Sequence, residues 1–214
     1  MGKCGFANRQ TSPVPDFSPL TMQTGNPMRN TAAEQALTIF QDGPLFFDTE
    51  TTGLSNAAEI VEVGVVDAEG KTVLESLVRP RRRIPADAVT VHGISNEMVR
   101  GAPTWAEIWP DVQLLFRGRR VGIFNADFDL RMLRQSHRQH SLPWEAFGGS
   151  AICVMKLYAR FYGERMGVKN ARWQSLQKAG RQCGIALPNK HRAVDDARLT
   201  CAVFRHMAGL PVSV

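Results

Sequence analysis

Apolar and polar positions change rhythm several times along the chain, and each change marks an element. "TAAEQALTIFQDG" repeats its apolar residues at helical spacing. Thr31 can cap its start, Glu34 follows three residues later, and Gly43 can stop it, which predicts a short helix. Three strand-like runs come next, at Leu45–Thr49, Glu59–Asp67 and Thr72–Val78. "DAEG" separates the last two and predicts an antiparallel hairpin. The stretch carrying "RPRRRIP" and "VHGIS" shows neither period and reads as loop. A helix follows at Thr104–Phe116. A short strand at Arg120–Phe124 then leads into a helix over Asp127–His140. A fifth strand at Ser150–Cys153 runs into a helix over Met155–Gly163, and two more helices cover Trp173–Gly184 and Ala193–Ala208. Three strands first, then strands alternating with helices, predict an α/β fold: a mixed five-stranded sheet flanked by helices.

Composition bounds this picture. The chain has 214 residues, 43% of them hydrophobic, enough for one domain with a sizeable core. Residues 1–30 are rich in Pro, Ser, Thr, Gln, Asn and Gly and poor in branched apolar side chains, so they read as a flexible tail before a domain over 31–210. No apolar run approaches the roughly 18–20 residues of a membrane helix. Lys3 and Arg9 precede no apolar stretch, so a secretory signal is not expected. Cys4, Cys153, Cys183 and Cys201 lack CxxC or metal-finger spacing and read as reduced thiols of a cytoplasmic protein. The formal net charge of +6 suits a polyanionic partner such as nucleic acid, although plain solubility explains it too.

The candidate chemistry is acidic and sits in three places. In "LFFDTETTGLS" Asp48 and Glu50 are two residues apart on a strand, so they point to one face, and no Lys or Arg stands in the segment. Two converging carboxylates repel each other unless a cation lies between them. Oxygen-only ligation favours a hard ion, Mg²⁺ or Mn²⁺, over zinc. The competing reading has Asp48 capping a turn and Glu50 facing water. In "VGIFNADFDLRML" a carboxylate at the strand-to-helix junction reaches the sheet edge where open α/β sheets place their sites. Asp129 is the candidate, with Asp127 as a local competitor whose ordinary role is helix capping. In "HRAVDDARLTCAVF" Val194, Ala197, Cys201 and Phe204 form an apolar helical stripe. Asp196 continues the neighbouring row of Leu199, Val203 and Met207, whereas Asp195 is placed to pair with Arg198. His191 lies just before this helix; taken alone it is an ordinary surface histidine.

Asp-x-Glu, then Asp, then His-x4-Asp resembles the DEDDh family of 3′–5′ exonucleases, the group that includes the proofreading subunit of bacterial DNA polymerase III and ribonuclease T. "FFDTETTGL", "NADFD" and "HRAVDD" match the three family motifs in order. "VHGIS" and "WQSLQKAGRQCGI" stand where members carry similar segments, and the resemblance covers roughly residues 32–210. It implies a ribonuclease-H-like fold and two divalent ions, Mg²⁺ or Mn²⁺, held by Asp48, Glu50, Asp129 and Asp196. It implies His191 as the base that takes a proton from the attacking water. It also places Thr51 and Leu54, with His92 nearby, against the 3′-terminal nucleotide; as plain sequence these are turn residues and a packed loop histidine. Arg79, Arg81, Arg82 and Arg83 either meet upstream phosphates or form a solvated loop.

The expected partner is single-stranded nucleic acid, DNA ahead of RNA, with a DNA polymerase or repair protein as the associated partner class. Phe124 stands where many members have His, a strand position outside the metal set. The chain ends soon after the last helix, so the polymerase-docking extension of the proofreading subunit is not expected here. "QALTIF" loosely resembles a sliding-clamp-binding peptide, but a helical lead-in explains it. Two other functions stay open at this level: an RNA-trimming exonuclease, which would differ in tolerating the 2′-hydroxyl, and an inactive nucleic-acid-binding module, which loss of an acidic ligand would favour. None of the acidic positions is lost.

Overall fold

The computed structural model describes residues 31–144, 147–186 and 191–212; the expected N-terminal tail lies outside them. Five strands form one sheet: β1 (Leu45–Thr51), β2 (Ile60–Val66), β3 (Thr72–Leu77), β4 (Arg120–Ile123) and β5 (Ser150–Cys153), in the order β3-β2-β1-β4-β5. β1, β2 and β3 are antiparallel neighbours, while β4 and β5 run parallel to β1 on its other side. This is the expected mixed sheet. The "DAEG" turn closes the β2–β3 hairpin: the Asp67 carboxylate accepts from the backbone N–H of Glu69 and Lys71.

The alternation in β1 decides which helices cover which face. Phe46 turns to a core shared with α1 (Ala32–Gln41), α5 (Val154–Met166), α6 (Leu176–Gln182) and α7 (Ala193–Met207), where it meets Phe204 at 5.3 Å between ring centroids. Leu45 and Phe47 turn to the opposite core, built with α3 (Trp105–Phe116) and α4 (Ala126–Gln139), where Phe47 meets the edge of Phe116 at 5.2 Å. All seven residues of β2 are buried, as expected for a strand covered on both faces. Ile39 is buried, and Leu37 and Phe40 pack against the same core, so the "QALTIF" side chains serve the helix that carries them.

Two expectations are corrected. The region read as loop after β3 contains a helix, α2 (Ala86–His92), beside a small core of Val61, Ile84, Ala88, Ile94 and Val99. Seven residues give too few turns to display a period, and the helix depends on tertiary burial of Ala88 and His92. The helix expected over Trp173–Gly184 begins only at Leu176. Ser175 caps it by accepting from the Lys178 N–H, which leaves Trp173 in the preceding loop. Elsewhere the differences are of boundary: β1 runs two residues further than expected, and α5 continues to Met166.

Candidate active site

Asp48 and Glu50 lie on one face of β1, two positions after Phe46, where the sheet's hydrophobic cover gives way to solvent. The partner positions across the β1–β2 pair are Gly64 opposite Asp48 and Glu62 opposite Glu50. Gly64 decides how close α7 can come. A Cβ there would lie 2.4 Å from the backbone of Ala193 and Val194, so only glycine lets the first turn of α7 rest on the sheet. That turn delivers Asp196. One oxygen each from Asp48, Glu50 and Asp196 come together, all within 4.8 Å of one another.

Asp129 enters from the first turn of α4 and is buried. Its Oδ1 accepts from the Thr49 hydroxyl at 2.8 Å. It is not among the three converging oxygens, but its charge bears on both carboxylates of β1. The competitor, Asp127, faces solvent and pairs with Lys156 at 2.7 Å. Asp195 likewise pairs with Arg198.

The electrostatics follow from this crowding. Burial, then the charges of Asp129, Asp196, Glu50 and Glu62, raise the Asp48 pKa well above the usual carboxylate range. Burial, then Asp196, Glu62 and Asp129, push Glu50 up to about 8. Burial raises Asp129 to about 7, against the lowering effect of its Thr49 bond. The cation whose charge reaches Glu50 is Arg192, and its guanidinium is held by Glu62 through Nε and Nη2. Converging and acid-only, the set fits a hard divalent ion.

Glu62 has no counterpart in the sequence-based reading. Its buried carboxylate takes Arg192 and the Ala193 N–H (2.8 Å), and so fixes the chain directly after His191. The signal was present in "IVEVGVV": Glu62 and Gly64 are the only breaks in an apolar strand and share a face. His191 is exposed with φ 50°, and its charge is felt at His92. His92 is buried in α2, accepts from the Ile94 N–H through Nδ1, and has the Thr51 backbone beside its ring. Thr51 is buried and donates to the Gly53 carbonyl, whereas Leu54 is 77% exposed. The loop holding Leu54 is tied to α4 by Arg131 and Gln135, which donate to the Leu54 and Ser55 carbonyls. Phe124 is buried just past the end of β4, in the core that Phe46 shares with α7. In the arginine loop the Glu59 carboxylate accepts from the backbone of Arg81 and Arg82, while the four side chains at 79 and 81–83 stay on the surface.

Comparison with known proteins agrees with this geometry. The family model described as exonuclease matches residues 45–204. The uncharacterized exonuclease CP81 of Escherichia phage 186 is 38% identical over 183 residues, covering 83% of this chain and 94% of that protein. The DNA polymerase III subunit epsilon of Treponema pallidum is 29% identical over 168 residues, covering 75% of this chain and 74% of that protein. Among solved structures, exonuclease X in complex with 5′-overhanging duplex DNA aligns with a TM-score of 0.55 at 28% identity, over 78% of this chain and 94% of that one. The chain belongs to the exonuclease family, with the sheet and helices of the ribonuclease-H-like members, and is a 3′–5′ exonuclease of the DEDDh type.

Proposed function

We propose that this exonuclease removes nucleoside 5′-monophosphates from the 3′ end of single-stranded DNA. In this reading Asp48, Glu50, Asp129 and Asp196 hold Mg²⁺ or Mn²⁺. The observation that carries it is the convergence of Asp48, Glu50 and Asp196 oxygens within 4.8 Å, with Arg192 committed to Glu62. A divalent ion bound there supplies positive charge to the scissile phosphate and to the departing 3′-oxygen.

The chain's own residues do the rest. The neutral imidazole of His191 accepts the proton of the attacking water, and its backbone is tied through the Glu62-anchored Arg192 to the strand position opposite Glu50. His92, buried beside the Thr51 backbone, braces the turn that receives the terminal nucleotide. Leu54 offers an apolar surface to the terminal base, and Thr51 holds the turn that presents it. A single strand is favoured because a paired terminus must unstack before its last phosphodiester can reach a cluster this recessed. The arginines at 79 and 81–83 supply long-range attraction for the phosphate backbone. A polymerase partner accords with the names of the DNA polymerase III relatives; a cytoplasmic setting, and a repair protein as the other partner class, rest on the sequence alone.

The deciding experiment is a time course on matched DNA and RNA oligonucleotides labelled at the 5′ end. DNA should give a descending ladder with Mg²⁺ or Mn²⁺ and none with chelator, and a 3′-phosphate should slow it. Faster RNA trimming would transfer the assignment to an exoribonuclease, and internal cuts in a circular single strand would contradict exonucleolytic action.

A further inference from the structure

The loop between α5 and α6 presents a feature that the catalytic geometry does not use. Trp173 is 63% exposed and is the only exposed aromatic side chain among the described residues. It borders a groove of about 520 Å³ that Lys156, Arg160 and Lys169 also line. The Lys156 ammonium lies 5.9 Å from the centre of the Trp173 ring and 2.7 Å from the Asp127 carboxylate. Arg172, the residue before Trp173 in the chain, is also exposed.

The loop is held in place rather than merely tethered at its ends. Gly167 closes α5 in the left-handed conformation, and the Val168 N–H donates to the Gly163 carbonyl at 2.9 Å. A Cβ on Gly163 would come within 2.7 Å of the Val168 carbonyl, so its absence lets the loop lie flat against the helix. An exposed tryptophan on a docked loop is a ready platform, because little ordering remains to be done when a ligand stacks on it.

Position supplies the ligand. Asp127, which holds Lys156 at the rim of the groove, and the buried Asp129, whose charge bears on Asp48, share the first turn of α4, so one helix start touches both the groove and the acidic site. The Met155 N–H donates to the Phe124 carbonyl, joining the start of α5 to the end of β4 along the same sheet edge. A strand whose 3′ end lies at the carboxylates and whose body continues along this edge meets Lys156 and then Trp173. An aromatic face beside cationic side chains is the chemistry that binds single strands without reading their sequence. The arginine groove by residues 79–83 is the competing basic surface, but no aromatic side chain lines it, so it can attract phosphates and not stack bases.

We propose that Trp173 is a stacking platform for a base upstream of the scissile linkage, with Lys156, Lys169 and Arg172 neutralising the adjoining phosphates. This rests on the 3′ end lying at the Asp48 cluster. The site would make binding depend on strand length while leaving the chemical step untouched.

Two measurements test it on the full chain. The first is the affinity for a labelled strand of about 12 nucleotides, a length within the reach of single-strand binding surfaces, whose 3′-terminal linkages are phosphorothioates that resist hydrolysis. Trp173→Ala should weaken binding about 5–100-fold, the range expected for losing one base–aromatic stack, and Trp173→Phe should retain most of it. Binding of the strand should also quench tryptophan fluorescence in wild type, and most of that quench should vanish in Trp173→Phe. The second measurement is hydrolysis of a dinucleotide, too short to reach the platform, which should proceed equally in wild type and both variants. Unchanged affinity of Trp173→Ala for the long strand overturns the platform. So does an equal loss on the dinucleotide, which would mark a structural effect. Wild-type failure on the dinucleotide with no divalent-ion dependence would instead fall on the catalytic reading, and the affinity comparison would still decide the platform.

Discussion

At the scale of the residue, the site is a set of negative charges placed closer than isolated carboxylates tolerate. Removing one should therefore relieve the fold while ending the chemistry. Asp48→Asn and Asp196→Asn are each expected to abolish divalent-ion-dependent digestion. The melting temperature of the metal-free protein should meanwhile hold or rise by about 2–4 °C, the shift that ~1 kcal/mol produces in a chain of this size. Calorimetry and nuclease assays on the same preparations check this, and near wild-type turnover in both variants would end the metal-ligand assignment. His191 belongs to a different class because it is not one of the converging carboxylates. His191→Ala should lower kcat by roughly 10²–10⁴-fold with little change in metal binding. His191→Lys, which puts a cation in place of the imidazole, should be nearly as slow as the alanine variant. A His191→Lys variant that keeps most of the wild-type rate would make the side chain a phosphate-binding cation and not a base.

At the scale of the element, the decisive contact is α7 on β2. Asp48 and Glu50 are neighbours on one strand, but Asp196 joins them only because Gly64 admits the Ala193 backbone and Glu62 captures Arg192 and the Ala193 N–H. Gly64→Ala puts a methyl group where the helix backbone lies. The fold should lose about 1–3 kcal/mol, the usual cost of overpacking. Activity should fall further than stability does, because relief of the clash moves α7 and with it Asp196 and His191. Melting curves paired with metal titrations separate the two effects. Unaltered metal affinity and rate in a folded Gly64→Ala protein would show that the close approach is not what assembles the site.

At the scale of the whole molecule, the cluster couples folding to pH and to metal. Glu50 titrates at about 8 in the folded protein against 4.5 for the ordinary side chain, and Asp129 at about 7 against 3.8. Between those limits the folded state keeps protons that the unfolded chain has released. Stability is therefore fully present below about pH 4 and is lost as pH rises toward about 8. The metal-free protein should melt at progressively lower temperature over that interval. Saturating Mg²⁺ should flatten the slope, since the ion takes over the role of the protons and binds more tightly as they leave. Scanning calorimetry from pH 5 to pH 8, with and without metal, gives the comparison, and parallel curves would refute the coupling.

The motifs were legible in the sequence because their spacing is local. Asp48 and Glu50 share a face through the two-residue period of a strand. Asp129 follows a short apolar strand at a helix start, and His191 and Asp196 flank the first turn of a helix whose apolar stripe is evident in the chain. The order of elements followed from the same periodicities, and so did the mixed sheet. What the chain pattern did not disclose depends on separations that local rules do not span. Helix α2 is too short to show a period and is held by burial against distant strands. Trp173 sits at a helical-looking position, yet the cap at Ser175 leaves it on a docked loop. Glu62 reads as a stray polar residue in an apolar strand until Arg192, 130 positions later, is laid against it. Sequence determined which groups carry the chemistry, because their types and local spacing are fixed covalently. Only tertiary structure decided which groups hold them in place, because those contacts join residues that meet when the helices close on the sheet.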